Sequence, residues 1–118
     1  MESVLRDKSY FFALRVVKLY KHLINQHKEY TLSKQILRSG TSIGALVREA
    51  QYAQSAKDFI NKLSIALKEA NESEYWIMLL KDSGFITKKM HDSVQRDNKE
   101  LIKILTASIN TAKKKLSQ

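Results

Sequence analysis

The sequence predicts an all-α fold, an antiparallel up-down-up-down bundle of four helices. Its 118 residues include no proline and only three glycines, so the residues that form the turns of a β protein are scarce. Apolar residues recur at three- and four-residue steps along most of the chain, which is the period of an amphipathic helix. A chain of this length is typical of one domain, and we assign residues 1–118 to it.

The first two helices are predicted from their apolar stripes. Helix one begins near residue 5 or 9 and ends at His27, and helix two covers residues 32–52 with Thr31 as its cap. The two inward stripes consist of Phe12, Val16, Leu19, Tyr20 and Leu23, and of Leu32, Ile36, Ile43, Val47 and Ala50.

Gly40 and Gly44 lie inside helix two, where a glycine costs up to about 1 kcal/mol relative to alanine. We favour compensation through the close approach of a neighbouring backbone, and contact with a ligand at these residues is the alternative. The same spacing brings helices together in membranes. Here Arg38 and Arg48 flank it and exclude a lipid environment.

Helix three is expected to begin after the cap Ser55, to end at about Ser83 and to stop at a left-handed Gly84. It carries two stripes about 100° apart on the helical wheel, and the second stripe indicates self-association. Helix four covers residues 88–114, with Thr87 as its cap. The stripes of helix three are Phe59, Leu63, Ala66, Ala70, Ile77 and Leu80, and Lys62, Ile65, Glu69, Glu72, Trp76 and Leu79; the stripe of helix four is Met90, Val94, Leu101, Leu105, Ser108 and Ala112.

Positive charge is concentrated in the outer helices. The formal net charge is +9 at pH 7, to which residues 1–30 contribute +3 and residues 85–118 contribute +5. Because the first and last helices of such a bundle are usually neighbours, their outer faces predict one basic surface. A basic surface attracts polyphosphate with little sequence selectivity, whereas lysines that only keep the protein soluble are the alternative.

Reading of individual bases is not expected. Lysine outnumbers arginine, which is the better reader of base edges. Most aromatic residues fall on or beside the predicted core stripes, so no platform for base stacking is recognisable.

No pattern for catalysis or metal binding is found. Cysteine is absent, which excludes thiolate zinc sites and cysteine nucleophiles. None of the three histidines lies three residues after a glutamate, as a di-metal bundle requires. Neither a phosphate-binding glycine loop nor a nucleophile elbow occurs. We therefore expect a protein that is not an enzyme and has no cofactor and no metal.

Glu49, Glu69 and Glu72 border apolar positions, and a partly buried carboxylate needs hydrogen-bond donors. We expect a structural network within the chain or across a subunit contact, with a ligand site as the alternative. The candidate donors are Arg38, Lys62 and Gln35.

The location is predicted from the absence of targeting patterns. Charged residues at positions 2, 6, 7 and 8 leave no apolar region for a secretory signal. The apolar runs are much shorter than the roughly 20 residues of a membrane span. We expect a cytoplasmic protein.

A specific pattern of polar and apolar residues runs through residues 35–80. It resembles the bacterial four helix bundle protein family, also called the 23S ribosomal RNA intervening-sequence protein family. The residues that carry the resemblance are Gln35 to Ala45, Glu49-Ala50, Ser55, Lys57 to Phe59, Lys62-Leu63, Ile65-Ala66, Lys68 to Ala70, Glu72, Tyr75-Trp76 and Leu79-Leu80.

The resemblance implies a small bundle, often a ring-like homopentamer, to which no catalytic residues are attributed. The chain is also similar to accessory proteins of diversity-generating retroelements, which are basic pentamers that associate with nucleic acid and a reverse transcriptase. Leu46 stands where many relatives have asparagine, which favours a drier contact at that position. The motif positions expected to be structural or interfacial are Arg38, Ser39, Ser42, Glu49, Glu69, Glu72 and Trp76.

The leading hypothesis is a non-enzymatic, self-associating bundle that binds RNA or DNA through its basic exterior. Ile65 and Trp76 lie on the second face of helix three, which we expect to be a subunit interface. The alternative is a protein-binding scaffold or accessory subunit for a reverse transcriptase or another enzyme. The residues assigned to phosphate contact are Lys18, Lys21, Lys99 and Lys103, with Arg96 behind them.

Overall fold

Four helices account for most of the chain. The computed structural model describes residues 2–118, with side chains from residue 4 onward. The helices are α1 (Glu2–Gln26), α2 (Leu32–Gln51), α3 (Ala56–Asp82) and α4 (Lys88–Leu116), and no strand occurs within this described part. The all-α prediction is confirmed, although α1 begins earlier than the apolar stripe indicated.

The helices enclose one elongated core. Each helix packs against the one before it, and α4 also packs against α1. The molecule measures 51 × 21 × 20 Å along its principal axes. The predicted stripes supply the core, while Tyr20, Leu32, Phe59 and Met90 lie at its margin rather than inside it. The largest fully buried apolar side chains are Phe12, Leu23, Ile36, Ile43, Leu63, Ile77, Leu80, Leu101 and Leu105.

Contacts between neighbouring helices define their register. From α1 to α4, Lys8 reaches Glu100 and Arg15 reaches Asp97. From α2 to α3, Arg38 reaches Glu72 whereas Glu49 reaches Lys62. Between α1 and α4, and likewise between α2 and α3, the residue with the higher number on one helix meets the residue with the lower number on the other.

The glycines of α2 lie in close contact with α1. A Cβ added at Gly40 would be 2.7 Å from Cγ2 of Val16, and one added at Gly44 would be 3.3 Å from the carbonyl oxygen of Ser9. Gly40, Ser9 and Val16 are buried. The structure therefore shows the tight packing that we favoured for this pair of glycines.

Three of the predicted helix boundaries are confirmed by their hydrogen bonds or backbone angles. The hydroxyl of Ser55 accepts the backbone N–H of Asp58 at 3.0 Å, and that of Thr87 accepts the N–H of Met90 at 3.1 Å. Gly84 has a φ of +83°, in the left-handed region that ends helices.

Thr31 occupies the N-cap position of α2, as predicted, but its side chain does not cap the helix. Thr31 has φ −105° and ψ −62°, and its side chain makes no capping bond. The carboxylate of Glu29 takes that role, accepting the N–H of Ser33 at 2.7 Å and that of Leu32 at 3.0 Å. Burial acts to raise the pKa of Glu29, but the N–H groups at the helix start outweigh it and hold the pKa below its usual value.

We predict that Gly40→Ala lowers the free energy of unfolding by about 1 kcal/mol. Overpacking costs roughly 1–3 kcal/mol, which exceeds the gain of about 1 kcal/mol in helix propensity. Val16 is fully buried, and its χ1 angle is stiff. Gly44→Ala should change the free energy by less than about 0.5 kcal/mol, because its nearest neighbour is farther away and the propensity gain offsets the contact.

Urea denaturation of both variants checks this prediction, with Val16→Ala added in the wild-type and Gly40→Ala backgrounds. Val16→Ala should lower the free energy of unfolding by less in the Gly40→Ala background than in the wild type, because both changes affect the same contact. Equal effects of Gly40→Ala and Gly44→Ala would contradict a contact centred on Val16.

Candidate nucleic-acid interface

The outward side of α4 carries a row of basic residues. Lys89, Arg96 and Lys103 are spaced by seven residues, which is close to two helical turns, and they therefore lie on one side of α4. Lys99 and Lys114 fall within about 60° of that line, and all five are exposed. We call these five residues, Lys89, Arg96, Lys99, Lys103 and Lys114, the α4 strip.

Two of the three acidic residues of α4 pair with α1. Arg15 donates from Nη1 to Asp97 Oδ2 at 2.6 Å, and Lys8 Nζ lies 2.8 Å from Glu100 Oε1. Arg15 also donates to the carbonyl and the hydroxyl of Ser93, at 3.1 and 2.8 Å. The hydrogen bond from Lys8 to Glu100 raises the pKa of the lysine.

The third acidic residue of α4 pairs within its own helix. Asp92 Oδ2 lies 2.7 Å from Lys88 Nζ, and its other oxygen lies 2.8 Å from Nδ1 of His91. The hydrogen bond from Lys88, followed by that with His91, lowers the pKa of Asp92 to about 2. All three carboxylates of α4 thus have cationic or imidazole partners.

The α4 strip differs from these paired residues. Within the described part of the chain, none of its five side chains forms an ion pair. Arg96, Lys99 and Lys103, assigned from the sequence to phosphate contact, are thus exposed cations without an ionic partner.

The lysines assigned on α1 lie away from Lys99 and Lys103. Lys18 and Lys21 are exposed, but they follow Arg15, whose partners are Ser93 and Asp97. Continuing that register places Lys21 level with the start of α4, roughly 20 Å from Lys103 along the axis at 1.5 Å per residue. The five assigned residues therefore form an elongated surface rather than one compact cluster.

Exposed apolar residues occupy the rest of the outer side of α1. Phe11 is 68% exposed, and Tyr10, Leu14 and Val4 are also exposed. The spacing of Val4, Phe11 and Leu14 places them on one side of the helix. Stripe analysis missed this second apolar row, whose signal was the i, i+7, i+10 spacing of these three residues.

The opposite side of the molecule contains a network between α2 and α3. Arg38 donates to Glu69 at 3.1 Å and to Glu72, and the indole N–H of Trp76 donates to Glu72 at 3.1 Å. The Glu69 side chain is only 15% exposed, whereas that of Arg38 is 50% exposed. A separate pair joins Lys62 and Glu49 at 3.3 Å.

The remaining motif residues make local contacts. Ser39 is buried and accepts a hydrogen bond of 2.9 Å from Ser73 of α3. Ser42 donates to the carbonyl of Arg38 at 2.6 Å within its own helix. Ile65 is exposed on α3, next to a side of that helix that also exposes Tyr75 and Met78.

The described residues contain neither a metal site nor a membrane-spanning helix. No group of three or more histidine, aspartate or glutamate side chains is arranged to hold a metal ion there. No helix of this part of the chain combines the length and the apolar character that crossing a bilayer requires.

The comparisons with known proteins identify relatives. The family model described as 23S rRNA-intervening sequence protein matches residues 2–107. The chain is also similar to a crystal structure, at 1.70 Å resolution, of a protein with unknown function from the S23 ribosomal protein family of Bacteroides thetaiotaomicron. The two share 56% identity with a TM-score of 0.92, over 92% of this chain and 97% of that one. No curated protein matches.

We predict that Arg38→Ala lowers the free energy of unfolding by about 1 kcal/mol, a value limited by the exposure of the arginine. It should also shift the fluorescence of Trp76, the only tryptophan, because Glu72 loses one of its two partners. Arg48→Ala is the matched control, since Arg48 is exposed on the same helix. Denaturation and emission spectra that are alike for the two variants would refute the network.

Proposed function

The chain belongs to the family of 23S rRNA-intervening sequence proteins, and we propose that it binds RNA or DNA through the α4 strip. In this proposal the protein is not an enzyme, and several copies assemble with the strip on the outside. The observation that carries the proposal is the separation of charges on α4. Its three carboxylates are paired, whereas the five cations of the strip have no ionic partner among the described residues.

The length of the strip suits a nucleic-acid backbone. Lys89 and Lys114 are separated by 25 residues, or roughly 37 Å at 1.5 Å per residue. One strand of a duplex advances about 3.4 Å along the helix axis per phosphate, so the strip is as long as the axial rise of about eleven nucleotides. Lys18 and Lys21 lie seven residues after Phe11 and Leu14, on the side of α1 that carries the exposed apolar row, so they border the strip only beyond the end of that row, near Lys89.

The composition of the strip favours contact with phosphates over reading of bases. Four of its five members are lysines, which act as point charges, and Arg96 alone offers the planar group that reads base edges. Binding of this kind releases counterions and has low sequence selectivity.

Two exposed apolar surfaces support self-association. One is the row of Val4, Phe11 and Leu14 on α1, and the other is the side of α3 that exposes Ile65 and Tyr75. The contacts between helices support the antiparallel up-down-up-down order, in which α1 and α3 lie at opposite corners. Two such surfaces suit a head-to-tail assembly that closes into a ring, and the homopentamer is the assembly that the family resemblance implies.

The second candidate function is a protein-binding scaffold, such as an accessory subunit of a reverse transcriptase. The exposed side chains that favour it are Tyr75 and Met78, because aromatic residues and methionine are enriched at protein interfaces. A protein partner that stays bound after nuclease treatment would support this candidate.

We predict that the double variant Lys99→Glu and Lys103→Glu binds labelled RNA and DNA at least tenfold more weakly. It should also reduce the slope of log affinity against log salt by about 2, roughly 1 for each lost phosphate contact. Fluorescence anisotropy of nuclease-treated protein, with single strands and duplexes at low and near-physiological salt, measures both quantities.

The matched control for that experiment is Lys34→Glu with Arg48→Glu. Both cations are exposed on α2, so the change in net charge is identical but lies away from the strip and from the two apolar surfaces. An equal loss of affinity in the two double variants would show that net charge, not the strip, determines binding. No binding by the wild type at low salt would reject the proposal and leave the scaffold as the leading candidate.

We predict that Ile65→Asp shifts the assembly toward monomer, because burying a carboxylate in an apolar interface is costly. Trp76→Ala should act in the same direction. Light scattering measures the mass, and far-ultraviolet circular dichroism checks that each variant is folded. Asn110→Asp, at an exposed position of α4 away from the two apolar surfaces, is the control. A folded Ile65→Asp variant with unchanged mass would remove α3 from the interface.

A further inference from the structure

One end of the bundle contains a cavity of about 600 Å³, distant from Lys21 and the start of α4. All four helices line it, and its apolar lining includes Leu5, Val47, Phe59, Leu63 and Ala112. Leu5, Val47 and Leu63 are at most 3% exposed, so the wall is continuous with the hydrophobic core.

The cavity arises where small side chains meet. Ala50, Ala56 and Ala112, from three different helices, line it, and a larger residue at any of them would occupy part of the space. Its volume lies within the range of about 300–1,000 Å³ that small-molecule sites occupy. An apolar wall of this kind suits a hydrocarbon chain better than a sugar or a nucleotide.

The charged residues at the cavity indicate which head group the ligand carries. Lys115 lines the cavity, and Lys113 and Lys114 lie in the same turn of α4. None of the described residues that line it is acidic. Ser108, Thr111 and Gln51 are its polar members, and they are of the type that orients a ligand in an otherwise apolar site.

We propose that this cavity binds a single-chain amphiphile with an anionic head, of the class of medium-chain carboxylates. The alkyl chain lies against Leu5, Phe59 and Leu63, and the carboxylate is held at the rim by Lys115. The end of the α4 strip at Lys114 adjoins this site, but the cavity does not depend on binding of nucleic acid to the strip.

The experiment compares three ligands that share one chain and differ in the head group. Decanoate, decanol and decyltrimethylammonium are titrated calorimetrically into the full chain, each below its micelle concentration. We expect decanoate to bind most tightly and the cationic ligand most weakly. Absence of binding by all three up to millimolar concentration, or tighter binding of the cation than of decanoate, overturns the proposal.

Two pairs of variants locate the site. Ala112→Phe fills the cavity and should weaken decanoate binding at least tenfold, whereas Ala107→Phe, on the exposed side of the same helix, should leave it within twofold. Lys115→Gln should weaken decanoate at least threefold but leave decanol unchanged, with Lys89→Gln, at the other end of α4, as its control. Should Ala112→Phe fail to fold, Ala56→Phe fills the same space from an exposed position at the start of α3.

Equal decanoate affinity in the filled variant and its control overturns the proposal, because the ligand would then bind elsewhere. The same holds if phospholipid vesicles bind the protein and free decanoate does not, since the occupant would be a membrane surface. A second copy of the chain that covers the cavity would exclude decanoate, and this outcome would also overturn the proposal. Light scattering in the presence of decanoate detects such an association by its mass.

Discussion

Close packing of α1 on α2 at the two helical glycines sets the rotation of α1, and the charge distribution follows from that rotation. Ser9 and Val16 face Gly44 and Gly40. Lys8 and Arg15 each precede one of these buried residues, and a step of one residue turns the helix by about 100°. The same rotation that buries Ser9 and Val16 therefore directs Lys8 and Arg15 toward α4.

The ion pairs between α1 and α4 change the charge distribution of α4 more than they change the stability of the fold. Exposed ion pairs contribute about 0–1 kcal/mol each, so the pairs of Arg15 and Lys8 add little to the free energy of unfolding. They do neutralise Asp97 and Glu100, which would otherwise lie beside Arg96, Lys99 and Lys103 and attract them. The unpaired α4 strip thus depends on two cations that belong to another helix.

Sequence patterns predicted the elements of this fold well because the responsible interactions are local. The stripes of the helices, the caps Ser55 and Thr87 and the stop at Gly84 each depend on residues within a few positions. The side chain of Thr31 makes no capping bond, because the carboxylate of Glu29 already accepts the N–H groups of Leu32 and Ser33. A side chain outside the usual capping position leaves no short sequence signature.

The candidate site was predicted only in part because it depends on long-range register. Arg96, Lys99 and Lys103 could be assigned from the charge of one helix, but their distance from Lys18 and Lys21 depends on the register of α1 against α4. Pairing of Arg15 with Asp97 joins residues 82 positions apart, and no spacing rule connects them. The network of Arg38 could be predicted from the sequence, because partly buried glutamates require hydrogen-bond donors wherever they lie.

The two sides of the molecule have different requirements, and the arrangement satisfies both. A surface that binds phosphates must stay in water, whereas an apolar subunit interface must leave it. The α4 strip and the exposed side of α3 lie on different helices, and Arg38, Glu69 and Glu72 occupy the seam of α2 and α3 away from the strip. Copies that associate through α1 and α3 would therefore leave α4 outside. In the proposed assembly, repetition of the α4 strip around several copies would raise the overall affinity for a long strand through effective concentration, without any new contact.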